Sequence, residues 1–176
     1  MKNRKNILIS QELFYRKEYH EYYDIIDIKW YEFFNKLNYN FIIVSNDKKF
    51  IKNLKNLKIN GIVLTGGGDL VNTSINKKIY IRNIIEKYLI KFATNNNIPL
   101  IGVCRGMQLI NKMFGGSINK INGHVNSRHK INGKFKNIKI NNITNSYHKL
   151  GISEKDLSKN IISIAKDKDG NVEFFQ

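Results

Sequence analysis

The chain has 176 residues and a net charge of +16, and 41% of its residues are apolar. This length suits one domain of ordinary size, and an apolar fraction that includes ten Phe and nine Tyr excludes a disordered or fibrous chain. No apolar run approaches the roughly 20 residues of a membrane span, and the N-terminal apolar stretch is too short for a signal peptide. We therefore expect a single globular domain over residues 1–176 and no membrane partner.

The positive charge raises nucleic acid as a partner, but the distribution of that charge argues against it. Lys outnumbers Arg by 25 to 5, although the Arg guanidinium binds phosphate better because it can donate two parallel hydrogen bonds. The lysines are also scattered along the chain. A bias toward Lys, Asn and Ile throughout the chain is typical of an AT-rich coding sequence. The single cysteine excludes an internal disulfide framework and suits a reducing compartment, so we expect a cytoplasmic protein.

The first half of the chain alternates short β-branched runs with longer periodic segments, which is the pattern of strand–helix–strand units. Residues 6–11 are predicted to form the first strand. The runs 41–45 and 61–65 are apolar throughout and predict strands buried on both faces of a parallel sheet, joined by a weak helix over residues 48–57. A helix is predicted over residues 21–37, with apolar residues at helical spacing: Ile26, Trp30, Phe33 and Leu37.

A further helix is predicted over residues 76–95 and a fourth strand over residues 98–104. Beyond Gly116 the runs shorten and Gly, Asn and His become frequent, which favours antiparallel strands and hairpins. The predicted fold is a three-layer α/β sandwich with a mostly parallel central sheet, followed by a β-rich C-terminal part. In such sheets, ligands bind beyond the carboxyl ends of the strands.

One of these strand ends carries the only cysteine, Cys104. The segment GVCRG has the form of a nucleophile elbow, in which a sharp strand-to-helix turn lifts the central side chain out of the sheet. The flanking glycines avoid Cβ clashes in that strained turn, and the positive end of the following helix favours a thiolate. The pattern predicts a reactive thiol; the alternative is a small buried apolar residue that happens to end a strand.

The preceding strand ends in GGGD, residues 66–69. Backbone N–H groups of a glycine-rich turn can converge on a developing oxyanion, and the elbow adds the N–H of Arg105. A tight turn or a phosphate nest would have the same composition. Neither G-x-x-x-x-G-K-[ST] nor G-x-G-x-x-G occurs, so we expect no nucleotide cofactor.

Together these segments resemble the class I glutamine amidotransferase superfamily, and within it the γ-glutamyl hydrolase-like group of the peptidase C26 type. The resemblance rests on IVLTGGGD, PLIGVCRGMQLIN and FGG, and later on NSYHKLGI and DGNVE. It spans the chain from about residue 6 to the last residue and implies a flavodoxin-like fold. The implied activity is hydrolysis of a γ-glutamyl amide, with no metal and no cofactor.

The resemblance also implies roles for individual residues. Cys104 would attack the amide to form a γ-glutamyl thioester, and Gly66 or Gly67, with the N–H of Arg105, would form the oxyanion hole. Asp69 would hold the GGGD turn, and Arg82 and Glu86 would be structural. The glutamyl moiety would be bound by Gln108 and by the loop residues Asn145, Ser146, Tyr147 and His148.

The family completes its catalytic triad with His-Pro-Glu on a strand shortly after the D-G-x-V-E segment, and these 176 residues contain no His-Pro-Glu. One hypothesis is that the chain is a C-terminally truncated hydrolase domain lacking that last strand. The alternative is a non-catalytic relative that binds or regulates and merely retains Cys104. His148 could substitute as the base, although a place in the substrate loop is the stronger interpretation.

The leaving group is assigned to the loops 11–20 and 117–130. The segment GHVNSRHKI resembles γ-glutamyl-CDP-amidate hydrolases of capsule biosynthesis, which favours a small nucleotide-linked substrate whose phosphates would meet Lys17, Arg128 and Lys130. Free glutamine feeding a synthetase partner is the other possibility. His124 and His129 are either leaving-group contacts or ordinary loop residues; as metal ligands they lack carboxylate partners at suitable spacing.

Overall fold

The computed structural model describes residues 4–68, 70 and 80–176. The chain separates into two compact units, Met1–Leu109 and Ile110–Gln176, and the division falls inside one helix. The single domain expected over residues 1–176 stays a prediction.

In the first unit, four strands among the described residues form a parallel sheet. In chain order they are β1 (Asn6–Ser10), β4 (Asn40–Val44), β5 (Gly61–Leu64) and β6 (Leu100–Gly102). Their spatial order is β4-β1-β5-β6, with β1 in the interior beside β5. β4 is therefore added on one side of β1, and β5 and β6 on the other side. The order of strands changes direction between β1 and β5, and open α/β sheets bind ligands at such a position, beyond the carboxyl ends of the strands. The predicted parallel sheet is confirmed.

Four α-helices among the described residues accompany these strands: α1 (Lys29–Lys36), α2 (Lys48–Ile51), α3 (Tyr80–Asn95) and α4 (Arg105–Met113). α1 packs through Phe34, which is buried with Ile7, Ile9 and Val63 and stacks on Phe41 at a ring-centroid distance of 5.4 Å. No helix formed by the described residues is long and apolar enough to cross a membrane.

The helix predicted over residues 21–37 is wrong in its first half and only partly right in its apolar face, since Ile26 and Trp30 pack against the core whereas Leu37 is exposed. Residues 21–25 form strand β3 (Glu21–Ile25), which pairs antiparallel with β2 (Glu12–Arg16) inside the segment predicted to be a loop. The aromatic and β-branched side chains of this stretch suit a hairpin, where Tyr15 and Tyr22 contact each other across the strands at 4.7 Å between ring centroids. In α1 the buried residue is Phe34, whereas Phe33 is 50% exposed.

The second unit is built of antiparallel strands, as predicted for the region beyond Gly116. The strands are β7 (Asn119–Lys120), β8 (Val125–Phe135), β9 (Ile138–Tyr147), β10 (Leu150–Gly151), β11 (Ser163–Lys166) and β12 (Val172–Phe175). β8 and β9 form a long hairpin, and the sheet has the order β12-β11-β8-β9. A separate short pair joins β7 to β10.

A single carboxylate, Asp156, ties the connections of this second unit together. Its side chain accepts hydrogen bonds from Ser117 Oγ at 2.6 Å, from Asn119 Nδ2 at 2.7 Å and from Ser153 Oγ. Its backbone carbonyl accepts a further bond from Asn111 Nδ2 at 3.0 Å. The hydroxyl hydrogen bonds from Ser117 and Ser153 lower the pKa of Asp156 to about 2.

This shift predicts acid sensitivity of the second unit. Because the folded pKa of Asp156 lies below its ordinary value of 3.8, its stabilising effect is complete above about pH 4 and is lost as the pH falls toward 2. We expect Asp156→Asn to lower the free energy of unfolding at pH 7 by about 1–3 kcal/mol. Urea unfolding from pH 7 to pH 2 should show this difference shrinking as Asp156 becomes protonated. The exposed Asp169→Asn serves as the control and should leave stability nearly unchanged at both pH values.

Candidate active site

Cys104 lies at the turn between β6 and α4, in the conformation of a nucleophile elbow. Its φ is +51°, a left-handed value that is strained for a residue with a Cβ. The turn is closed by hydrogen bonds from Gly106 N to Val103 O at 2.9 Å and from Gln108 N to Cys104 O at 3.1 Å. The Cys104 side chain is exposed, which excludes the alternative of a buried apolar residue. The turn therefore has the strained backbone and the presented thiol that the segment GVCRG predicts.

The two glycines of the elbow are sterically required. A Cβ on Gly102 would lie 2.5 Å from the carbonyl carbon of Gly106, and a Cβ on Gly106 would overlap the Leu64 carbonyl group. Both obstacles are backbone atoms, which cannot move aside as a flexible side chain can. The close approach of α4 to the ends of β5 and β6 therefore depends on glycine at both positions.

Residues 66–68, called the glycine turn below, lie beside the elbow. A Cβ on Gly66 would be 3.3 Å from Cys104 Cβ and 3.9 Å from Cys104 Sγ, so this glycine borders the thiol directly. Gly67 and Gly68 have φ values of +84° and +66°, which only glycine adopts readily. The carboxylate of Glu12, from strand β2 of the β2–β3 hairpin, occupies the place where a Gly67 side chain would stand.

The glycine turn is oriented by the guanidinium of Arg82. This group donates hydrogen bonds to three successive carbonyls, those of Thr65 at 3.0 Å, Gly66 at 2.9 Å and Gly67 at 2.6 Å. In a trans peptide the N–H points opposite to the C=O. The N–H groups of residues 66–68 therefore point away from Arg82, and such a run of N–H groups can accept an anion.

Arg82 is held in turn by Glu86, whose side chain is fully buried. Glu86 Oε1 accepts bonds from Arg82 Nε at 2.9 Å and from Ser10 Oγ at 2.8 Å, and Oε2 accepts a bond from Arg105 Nη1. Arg105 also donates to Asn83 Oδ1. Burial lowers the pKa of Arg82, and the charge of Glu86 opposes that shift. One carboxylate thus faces two buried guanidiniums next to the glycine turn and the elbow.

The first unit therefore brings together Cys104, Gly66, Gly67 and Arg105 of the predicted site. Gln108 lies on α4, one turn after the nucleophile, and is buried. Asp69 lies outside the described residues. Sequence reasoning missed the participation of Glu12, because its strand was predicted to be a loop.

The predicted substrate loop lies in the second unit, at and just after the end of β9. Asn145 and Tyr147 are exposed, while Ser146 is buried and donates from Oγ to the carbonyl of His124 at 2.8 Å. His148 is half-buried and lies beside His124, with 5.1 Å between ring centroids.

The second unit also contains a group that the sequence did not reveal. His124, His129 and His148 converge on Glu173, and we call these four residues the histidine cluster. Burial lowers the pKa of His129 and of His148, and burial raises the pKa of Glu173. Asp167 and Glu173 supply carboxylates that local sequence spacing had seemed to exclude, because both are more than 35 residues further along the chain.

The family model for Glutamine amidotransferase class-I matches residues 21–175. The chain is 30% identical over 173 residues to the gamma-glutamyl-CDP-amidate hydrolase of Campylobacter jejuni, covering 96% of this chain and 81% of that protein. It is 34% identical over 95 residues to the glutamine-hydrolyzing GMP synthase subunit of Methanococcus vannielii, covering 54% of this chain and 43% of that protein.

Solved structures share the fold. A glutamine amidotransferase from Thermotoga maritima superposes with a TM-score of 0.74 at 18% identity, covering 99% of this chain and 72% of that one. A GMP synthase subunit protein from Thermoplasma acidophilum gives a TM-score of 0.71 at 18% identity, covering 100% of this chain and 79% of that one.

The buried ion network predicts a large effect of removing the negative charge of Glu86, which lies at its centre. Glu86→Gln removes the carboxylate that is hydrogen-bonded to both buried guanidiniums, so we expect the free energy of unfolding to fall by about 3–5 kcal/mol. Urea unfolding measures this loss. Glu32→Gln, on the exposed face of α1, is the matched control and should change stability by less than about 0.5 kcal/mol. Equal effects of the two substitutions would contradict a central role for Glu86.

Proposed function

Because the chain belongs to the class I glutamine amidotransferase family, we propose that it hydrolyses a γ-glutamyl amide through a thioester on Cys104. It is an enzyme of the glutamine amidotransferase type. The observation that carries the cysteine mechanism is the left-handed Cys104 at the elbow, bordered by Gly66 of the glycine turn.

In the proposed reaction, Cys104 Sγ attacks the carbonyl carbon of the γ-glutamyl amide. The carbonyl oxygen gains negative charge, and the N–H groups of Gly66 or Gly67 and of Arg105 stabilise it. The C–N bond then breaks, the leaving amine takes up the proton that the thiol gave up, and a thioester remains on Cys104. Water attacks the thioester and releases glutamate, which regenerates the thiol.

The surroundings of Cys104 support this assignment. The thiol lies at the N-terminus of α4, where the helix dipole favours a thiolate. Two guanidiniums, Arg82 and Arg105, and two carboxylates, Glu86 and Glu12, lie beside the glycine turn and the elbow. Their charges balance, so the N–H groups of the turn and the N-terminus of α4 supply the field that favours negative charge on the sulfur and on the oxyanion. The guanidinium of Arg82 binds the carbonyl groups of residues 65–67, so the N–H groups of the glycine turn point away from it.

The glutamyl moiety is assigned to Gln108 and to the loop residues Asn145, Ser146, Tyr147 and His148. General-base catalysis of thiol attack is still required, and the family's His-Pro-Glu is absent from these 176 residues. Thiol labelling by a substrate analogue, which needs no proton transfer to a leaving amine, therefore tests the site separately from turnover.

For the leaving group we propose a nucleotide-linked amine. The similarity to the gamma-glutamyl-CDP-amidate hydrolase supports this choice. Arg128 and Lys130 alternate with His129 along β8, so both basic side chains are exposed on the strand face opposite to the histidine cluster. Lys17 is exposed in the turn of the β2–β3 hairpin. These cations suit phosphate groups.

We place the protein in the cytoplasm on the strength of its single cysteine. A synthetase partner is the alternative route for the released amine, supported by the similarity to a GMP synthase subunit.

Covalent labelling tests the role of Cys104. A chloroketone analogue of glutamine should alkylate Cys104 at least about tenfold faster than chloroacetone, since the glutamyl part contributes binding energy. Peptide mass mapping should locate the label on Cys104, excess glutamine should slow it, and Cys104→Ala should remain unlabelled. Equal rates for the two chloroketones would show a thiol without a glutamyl site and would contradict the proposal.

Gln108→Ala separates binding from thiol reactivity. This variant should lose the preference for the glutamine analogue while reacting with chloroacetone at the rate of the unmodified chain. Glutaminase activity that disappears in Cys104→Ala would in addition exclude the non-catalytic alternative.

Arg128 provides the test of the leaving group. Removing one phosphate contact should weaken inhibition of labelling by a cytidine-diphosphate-linked glutamyl amide about tenfold, and inhibition by free glutamine should stay unchanged. Competition experiments with Arg128→Ala measure both constants. Lys139→Ala, an exposed cation on β9, is the matched control. Unchanged inhibition by the nucleotide-linked amide would exclude Arg128 as a phosphate contact.

A further inference from the structure

The histidine cluster brings three imidazole rings onto one carboxylate. His124 Nδ1 lies 3.5 Å and His129 Nε2 lies 3.6 Å from Glu173 Oε1, and His148 Nε2 lies 3.9 Å from Glu173 Oε2. The exposed fractions of the four side chains are only 3%, 12%, 17% and 11% in the order His124, His129, His148 and Glu173. The three rings and the carboxylate are therefore largely buried from solvent.

Hydrogen bonds to the outside of the cluster determine how two of the rings face Glu173. His124 Nε2 lies 2.9 Å from Asp167 Oδ2, and Asp167 is itself fixed by the backbone N–H of Asn171 at 2.8 Å. His148 Nδ1 lies 2.9 Å from the carbonyl oxygen of Leu150. Because a carboxylate and a carbonyl only accept, each of these nitrogens carries the proton. The other nitrogen of each neutral ring then presents a lone pair toward Glu173.

For His124 and His148, this arrangement leaves a ring lone pair facing the carboxylate of Glu173. Over the described stretch of the chain, His124 Nδ1 and both ring nitrogens of His129 have no hydrogen-bond partner. A buried polar atom without a partner is costly, and lone pairs opposite a carboxylate add repulsion. A cation between the rings and Glu173 would remove both penalties at once.

We propose that the histidine cluster binds one divalent transition-metal ion of the zinc class. Metal–nitrogen and metal–oxygen bonds of about 2.0–2.2 Å in a tetrahedron place ligand atoms about 3.4 Å apart, close to the separations observed around Glu173. Imidazole-rich sites prefer such ions to magnesium or calcium. The ligands are His124 Nδ1, His129 Nε2, His148 Nε2 and a carboxylate oxygen of Glu173.

The partners around the ligands have the form expected of a metal centre. Ligating histidines usually donate their other ring N–H to a carboxylate or a backbone carbonyl, as His124 does to Asp167 and His148 to Leu150. Asp167 also lies close enough to belong to the donor set: one potential ligand atom from each of His124, His129, Asp167 and Glu173 falls within 4.8 Å of the others.

Four protein ligands close the coordination sphere, so the ion has a structural role. His129 lies on β8 and Glu173 on β12, while His124 precedes β8 and His148 follows β9. The metal would therefore link β12 and the end of β9, the two edge strands of the second unit's sheet, to the interior strand β8. The sequence had predicted no metal site, because the carboxylate that completes this one is distant along the chain.

Zinc titration of the full chain tests the proposal. The chain is produced without a polyhistidine tag, stripped with a chelator and titrated with Zn²⁺ in a calorimeter. We expect one ion per chain with a Kd below about 1 µM, and an increase in the melting temperature on binding. Co²⁺ should give the visible absorption of a tetrahedral nitrogen and oxygen site, a readout that does not depend on catalysis.

Variants identify the ligands. His129→Ala and Glu173→Gln should each weaken zinc binding at least about 100-fold, and Asp167→Asn about 10-fold or more. Glu173→Gln preserves side-chain size, so it keeps the test decisive if His129→Ala does not fold. His20→Ala, an exposed histidine of the hairpin turn, and Cys104→Ser are the matched controls and should bind zinc as the unmodified chain does.

Three results would overturn the proposal. These are the absence of zinc binding at micromolar concentration, equal affinity in Glu173→Gln and His20→Ala, and loss of binding in Cys104→Ser. The first would mean that protons alone hold the cluster, and the last would assign the ion to the cysteine site.

Discussion

The first unit depends on one buried carboxylate placed between two arginines. Glu86 has no exposed surface, and Arg82 and Arg105 are each 3% exposed, so none of the three charges is shared with water. Such a group is tolerated only when its geometry is complete. Completing it requires Ser10 at the end of β1, the carbonyls of residues 65–67 after β5, and the first residue of α4. Ser10 ends β1, residues 65–67 follow β5 and Arg105 begins α4, so a single polar network positions these three elements relative to one another.

This network links charge to backbone direction. Arg82 satisfies its guanidinium on carbonyl oxygens of the glycine turn, and the N–H groups of that turn consequently face the other way. The residues that the family resemblance made merely structural, Arg82 and Glu86, thus orient the groups proposed to hold the oxyanion. Arg82 and Glu86 have no proposed contact with the substrate, but their hydrogen bonds determine the direction of the N–H groups in the glycine turn.

The features predicted correctly from sequence are those encoded locally. The elbow follows from two glycines flanking Cys104, and the parallel strands follow from continuous apolar runs such as residues 61–65. The helix expected over residues 21–37 failed because its aromatic residues satisfy helical and strand spacing alike, and pairing with residues 12–16 decided the outcome. The histidine cluster could not be found, because Glu173 reaches His124 only through the order of strands in a folded sheet.

The steric demands of the site also bear on how its gene can change. Five of the 12 glycines of the chain lie in the glycine turn and the elbow, where a side chain meets backbone atoms, borders the thiol or forces a left-handed φ. Every glycine codon begins with two G bases, whereas codons for Lys, Asn and Ile, which dominate this chain, are rich in A and T. Substitution at either of the first two bases of a glycine codon introduces a side chain or a stop. A codon bias toward A and T is therefore opposed by the backbone at these five positions, because any residue other than glycine would meet the obstacles described above.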